Sequence, residues 1–120
     1  MQRVTGIGGF FFRAQAPEVL AVWYRDMLGI DLVPQAADQQ PWHTVGGPVV
    51  FAPFAADTGY FSADRAFMLN FKVDDMDAMI AQLRENGIEA KERDPMPGIG
   101  RFAHLHDPEG TPIELWQPEG

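Results

Sequence analysis

Apolar residues recur at helical spacing in two parts of the chain. In residues 17–28 they share one helical face at Leu20, Trp23, Tyr24 and Met27. In residues 74–86 the same spacing recurs at Met76, Met79, Ile80 and Leu83. Pro17 opens the first pattern, and Gly29 and Gly87 follow the ends of the two, as is typical of helix starts and stops. The pattern therefore predicts two amphipathic helices.

Strand-like segments surround both helices in the same order. "GGFFFRA" precedes the first helix and "AFMLNFKV" the second. Short apolar runs broken by turn residues follow each helix, in "PWHTVGGPVVFAPF" and in "RFAHLHDPEGTPIELWQP". Aligning Gly9 with Met68 also aligns Phe12 with Phe71, which indicates an internal duplication. We predict one α+β domain, residues 1–120, of two βαβββ modules at about 4–55 and 66–118 with a linker at about 56–65.

The last two predicted strands bring two polar side chains together. "DPEG" is typical of a tight turn, which explains its acidic residue and its glycine without any catalytic role. A turn over residues 107–111 predicts three cross-strand pairs, His104 with Glu114, Phe102 with Trp116, and His106 with Pro112. Ile113 and Leu115 then face the core, and His104 lies within hydrogen-bonding reach of Glu114.

Strand alternation also predicts which side chains line a cavity. The predicted cavity-facing residues are Gly9, Phe11, Arg13, Trp42, Phe51, Met68, Asn70, Lys72, Phe102, His104, Glu114 and Trp116. Aromatic walls with few polar groups suit a planar or mainly apolar ligand. Arg13 and Lys72 either meet a carboxylate of that ligand or face water.

Composition narrows the classes of protein that remain. The chain has no cysteine, which excludes thiol catalysis, thiolate metal sites and disulfides. Its single serine, Ser62, falls in the predicted linker and not in a nucleophile elbow. A net charge of -8 predicts that neither nucleic acid nor a membrane surface is a partner. No signal peptide or membrane span is apparent, so we expect a cytoplasmic protein.

Three segments carry a resemblance to a known family: "WYRDMLGI" at 23–30, "NFKVDDMDA" at 70–78 and "DPEGTPIELWQP" at 107–118. In these the chain resembles the vicinal-oxygen-chelate superfamily, which includes glyoxalase I, the bleomycin-resistance proteins and the extradiol dioxygenases. The resemblance implies that the two modules curl into a half-open barrel with helices outside. It also implies a homodimer whose ligand cavities draw on both subunits. The superfamily spans several reactions, so the resemblance leaves the reaction open.

The metal site of that superfamily can be tested residue by residue. The resemblance carries its four ligand positions onto Gly9, Phe51, Met68 and Glu114. Only Glu114 suits a divalent ion, whereas a lasting site needs about three protein ligands. We therefore expect no metal cofactor. A divalent metal held instead by His104, His106 and Glu114 is the alternative, because two histidines at i and i+2 share a strand face.

Two functions from different classes remain open. The first is a homodimeric small-molecule-binding protein of the bleomycin-resistance type, which anchors a partly aromatic or apolar ligand at His104 and Glu114 without a metal. The second is a glyoxalase- or dioxygenase-like enzyme, a lyase, isomerase or dioxygenase, in which Glu114 and His104 are catalytic, with or without a metal. The remaining alternative is a structural or regulatory dimer, in which Glu114 merely satisfies its neighbour on the hairpin.

Overall fold

The computed structural model describes residues 1–3 and 7–119, which form two helices and one four-stranded sheet. In chain order the elements are α1 (Pro17–Leu28), β1 (Leu69–Lys72), α2 (Met76–Glu85), β2 (Lys91–Glu92), β3 (Gly100–His106) and β4 (Pro112–Pro118). Within these ranges, neither helix has the length and apolar character needed to cross a membrane.

The second half forms the predicted βαβββ module. β1, α2, β2, β3 and β4 follow one another, and the strands lie in the sheet in the order β1-β4-β3-β2. β4 pairs in parallel with β1 and antiparallel with β3, and β2 pairs antiparallel with β3. β4 is therefore an inner strand, with a hydrogen-bonded neighbour on each side. The parallel pairing places Asn70 beside Glu114.

The final hairpin has the register that the turn predicts. Its pairs include His104 with Glu114, Phe102 with Trp116, and His106 with Pro112. The backbone N–H groups of Glu109 and Thr111 donate to Oδ1 of Asp107 at 2.8 and 2.9 Å. Gly110 has φ 84°, in the left-handed region that glycine enters without a steric penalty. The turn residues therefore have the structural roles that the sequence predicts.

The core lies between the two helices and one face of the sheet. The largest fully buried side chains there are Met76 and Leu83 of α2 and Ile113 and Leu115 of β4. Leu20 and Tyr24 of α1 complete this layer. Burying one large apolar side chain stabilises a fold by about 1.5–3 kcal/mol. Because Ile113 and Leu115 face the core, Glu114 between them points to the opposite face of the sheet.

The strands predicted for the first half are not formed. Residues 7–55 contain α1 and no strand, although their alternation predicts several. A strand needs a hydrogen-bonded neighbour, and among residues 1–3 and 7–119 these segments have none. Phe11 and Phe51 are accordingly 94% and 87% exposed. The two-module barrel is not seen in the single chain. Residues 4–6, where the first module was predicted to begin, and residue 120 lie outside the described ranges.

Two contacts tie α1 to the final hairpin. The hydroxyl of Tyr24 donates to Oδ2 of Asp107 at 2.8 Å in the buried interior. Burial, followed by the hydrogen bond and the charge of Asp107, raises the pKa of Tyr24 above its ordinary value. Ala16 offers no side-chain cap to α1, and the carboxylate of Glu109 accepts from the N–H groups of Gln15 and Ala16 at 2.6 and 3.0 Å. The turn therefore also fixes the start of the first helix.

Candidate functional site

The candidate site lies on the face of the sheet opposite α2, called here the site face. Its side chains alternate along the strands with those of the core. They are Asn70 of β1, Phe102 and His104 of β3, and Glu114 and Trp116 of β4. Three neighbouring strands therefore contribute to one surface, and the sheet hydrogen bonds fix the spacing of these side chains.

Glu114 is the polar centre of this face. It is only 6% exposed, and its carboxylate accepts three hydrogen bonds from within the chain. Nδ2 of Asn70 donates to Oε1 at 2.8 Å, and the hydroxyl of Tyr60 donates to Oε2. Nε2 of His104 lies 2.8 Å from Oε2, and it carries the hydrogen because an ionised carboxylate only accepts. These donors replace the water that burial removes from the carboxylate.

Tyr60 enters the site from the linker. Its ring meets the imidazole of His104 edge-on, with centroids 5.3 Å apart, and the residue as a whole stays 39% exposed. Partial burial, and next the hydrogen bond to Glu114, raise the pKa of Tyr60 from 10.0 to about 12. At neutral pH the hydroxyl is therefore protonated and acts as a donor to the carboxylate.

The linker lies along the final hairpin through further contacts. Oγ of Ser62 lies 3.2 Å from Nε2 of His106, and Nη2 of Arg65 donates to the carbonyl of Glu109 at 2.9 Å. A pocket of about 90 Å³ lies beneath, between the linker and the hairpin. Its walls include Tyr60, Phe61, Met68, His104, His106 and Ile113. The linker thus covers one end of the site face.

The other end of the site face is aromatic. The rings of Phe102 and Trp116 stack with centroids 6.1 Å apart and planes 6° from parallel. Nε1 of Trp116 donates to the carbonyl of Ile99 at 3.0 Å, which fixes the orientation of the indole. Nζ of Lys72 lies 5.9 Å from the Trp116 ring centroid and donates to the carbonyl of Pro48 at 2.8 Å. A flat, oriented ring surface therefore adjoins the carboxylate.

The structure brings some of the predicted cavity residues together and leaves others apart. Asn70, Phe102, His104, Glu114 and Trp116 share the site face, and Met68 lines the pocket beside it. Phe11, Arg13 and Phe51 are exposed, because the strands that were predicted to hold them are not formed. Trp42 packs against Phe71 with centroids 6.2 Å apart, on the core side of β1.

Tyr60 is the site residue that sequence reasoning missed. It lies in the predicted linker, where no periodicity predicts the direction of a side chain, and 54 positions separate it from Glu114. The chain has only two tyrosines, and each donates its hydroxyl to a carboxylate of the final hairpin. That scarcity is the one signal in the sequence that could have singled out Tyr60.

The residues present do not fit the metal site that the resemblance implies. Gly9 has no side-chain donor, Phe51 has no polar atom, and the thioether of Met68 is a poor ligand for hard divalent ions. The alternative set is not assembled either: His106 turns to Ser62, while Glu114 is engaged by other side chains. Within residues 1–3 and 7–119, no three His, Asp or Glu side chains are grouped to hold a metal ion.

Comparison with known proteins identifies the class of this fold. A family model described as a glyoxalase-like domain matches residues 9–116, and the chain therefore belongs to that family, within the vicinal-oxygen-chelate superfamily. The resemblance seen in the sequence is confirmed. A search of curated proteins finds no match.

Two solved structures resemble the chain over nearly its whole length. One is TnmS3, an antibiotic binding protein from Streptomyces sp. CB03234, with 26% identity and a TM-score of 0.66, covering 99% of this chain and 100% of that one. The other is lactoylglutathione lyase from Agrobacterium tumefaciens, with 16% identity and a TM-score of 0.62, covering 97% and 96%. At 16% identity the second likeness concerns the fold alone.

The raised pKa of Tyr60 can be measured by NMR titration of protein labelled at the tyrosine ring Cζ. The Tyr60 resonance should still be largely that of the neutral phenol at pH 10, where an ordinary tyrosine is half ionised. Its midpoint should lie near 12. Because the folded-state pKa is the higher one, the stability from this bond is complete below about pH 10 and is lost as the pH rises towards 12.

Two variants complete that titration. Tyr24→Phe removes the other tyrosine signal and so assigns the resonance of Tyr60. Glu114→Gln should move the midpoint back towards 10.0, because the charged acceptor is lost. A midpoint near 10.0 in the unmodified protein would show that Tyr60 does not bond Glu114.

Proposed function

We propose that this chain is a small-molecule-binding protein that holds a partly aromatic ligand on the site face without a metal. The observation that carries the proposal is a buried carboxylate, Glu114, beside the stacked rings of Phe102 and Trp116. Binding sites for small molecules combine apolar, aromatic walls with a few oriented polar groups. Here the rings supply contact area and Glu114, with His104 and Asn70, fixes the orientation of the ligand.

The chemistry of Glu114 favours anchoring. A carboxylate that accepts hydrogen bonds from Asn70 and His104 is held in one position and can therefore orient a ligand. The family membership and the likeness to an antibiotic-binding protein support the same class of function. We also propose a cytoplasmic location, since a chain without cysteine gains nothing from an oxidising compartment.

A homodimer completes this proposal, because the first half of the chain leaves much apolar surface uncovered. The exposed residues there include Phe10, Phe11, Val45, Val49, Val50 and Phe51. The radius of gyration is 15.4 Å, whereas a compact domain of this length has about 13.6 Å. Exposed apolar residues in this number indicate an interaction site. Pairing with a second chain would give the first-half segments a strand partner and bring Phe11, Arg13 and Phe51 towards the ligand.

Light scattering tests the dimer. The mass in solution should be twice the 13.4 kDa of one chain. Phe51→Asp should shift the mass towards that of a single chain, because the new carboxylate would be buried against the apolar surface of the second chain. Val19→Asp is the matched control, since Val19 is exposed on α1 and an acid in the first helical turn is tolerated. A single-chain mass for the unmodified protein would contradict the homodimer.

An enzyme at the same residues is the second candidate. Glu114 is buried and lies 2.8 Å from an imidazole that can exchange a proton, which is an arrangement for general acid–base catalysis. Glu114 would then act as the base and His104 as its proton partner. Such an enzyme would lose turnover in Glu114→Gln and yet keep much of its affinity, which separates it from a binding protein.

The binding function is tested with a panel of planar aromatic compounds, screened by thermal shift in the presence of a chelator. Compounds that bind should raise the melting temperature equally with and without the chelator. Their affinity should fall about tenfold or more in Trp116→Ala, because a stacked aromatic contact and its buried area are lost. Trp42→Ala is the matched control and should change affinity little, since Trp42 packs on the core side of β1.

Two results would contradict the binding proposal. One is an equal loss of affinity in the Trp116 and Trp42 variants, which would place the ligand elsewhere. The other is a shift that appears only when a divalent metal replaces the chelator.

A further inference from the structure

Tyr60 occupies the site in a way that indicates the chemistry of the ligand. Its phenol hydroxyl donates to Glu114, and its ring packs edge-on against His104. We propose that the hydroxyl of Tyr60 occupies, in the free protein, the position that a phenolic hydroxyl of the ligand takes in the complex. This proposal rests on the binding function above. The ligand is then a phenol that displaces Tyr60 and donates to Glu114 in its stead.

The donors around Glu114 differ in how they are held. Asn70 and His104 stand on β1 and β3, where sheet hydrogen bonds fix their backbones. Tyr60 stands in the linker, outside any helix or strand. Removing its hydroxyl would leave one fixed donor on each carboxylate oxygen of Glu114, Asn70 on Oε1 and His104 on Oε2, and would free a lone pair of Oε2 for a further donor. A hydrogen bond to a charged group is a strong one, so a ligand that donates here replaces the bond lost with Tyr60, and a ligand without a donor does not.

The second tyrosine shows what a purely structural version of this contact looks like. Tyr24 also donates its hydroxyl to a carboxylate, Asp107, but Tyr24 belongs to α1 and is only 7% exposed. Tyr60 makes the same bond while 39% of it stays exposed. Tyr24 is therefore locked into the core, whereas Tyr60 can turn outwards without opening the core.

The linker has few other anchors on the site face. Ser62 and Arg65 contact the hairpin through hydrogen bonds that are open to water. Water replaces such exposed bonds at little net cost. The 90 Å³ pocket beside Tyr60 adjoins the volume that its ring would vacate, so a displaced ring leaves connected space. A phenol in that space would lie against His104 and Met68, at the linker end of the site face.

The test uses p-cresol, which is the tyrosine side chain itself, and its methyl ether, 4-methylanisole, which cannot donate. Affinities are measured by NMR titration of the full chain in chelator. The protein should bind p-cresol at least tenfold more tightly than 4-methylanisole, as expected for a hydrogen bond to a charged group. Tyr60→Phe should bind p-cresol about tenfold more tightly than the unmodified protein, because the competing hydroxyl is gone.

Tyr24→Phe is the matched control. It removes an equivalent bond to a carboxylate, and should leave the affinity for p-cresol unchanged while lowering the melting temperature. A purely structural Tyr60 would instead lose stability on Tyr60→Phe with no gain in affinity, and that result overturns the proposal.

The remaining outcomes separate this proposal from the binding function. Equal affinity for p-cresol and 4-methylanisole would overturn the phenol class and leave an aromatic-binding site standing. If neither compound binds the unmodified protein or Tyr60→Phe, the phenol proposal fails, and the panel with Trp116→Ala decides the binding function separately.

Discussion

One buried carboxylate organises the sheet face that we propose as the ligand-binding site. Glu114 lies on an inner strand of the sheet, between core residues Ile113 and Leu115, and is 6% exposed. A charge in that position is tolerable only with hydrogen-bonding partners, and Asn70, His104 and Tyr60 supply them. The requirement to satisfy one charge therefore links β1, β3 and the linker to β4. The resulting site is an oriented acceptor beside aromatic rings.

The acidic residues of the final turn hold the hairpin and α1 in position, and they are not themselves part of the site. Asp107 holds the turn that sets the register of β3 and β4, and it also accepts from Tyr24. The carboxylate of Glu109 caps α1, and its backbone carbonyl accepts a hydrogen bond from Arg65 of the linker. The position of His104 opposite Glu114 thus depends on the same turn that holds the first helix in place.

Local patterns in the sequence predict the hairpin, but they do not predict contacts between segments that lie far apart in the chain. Turn chemistry and alternation predict the pairing of His104 with Glu114, because hairpin register is set within a few residues. The contact of Tyr60 with Glu114 could not be predicted, because the linker shows no periodicity and 54 positions separate the two residues. The strands predicted around Phe11 and Phe51 show a further limit. Alternation gives a segment two faces, but a strand also needs a partner, and the described chain supplies none.

We propose that Glu114 anchors an aromatic ligand on the site face. A crystal structure of the protein with a compound selected by the aromatic panel tests it most directly. We expect the ring of the compound to lie against Trp116 and one of its polar atoms to lie within about 3 Å of the Glu114 carboxylate. A compound bound away from Glu114, or one joined to it through a metal ion, would contradict the account.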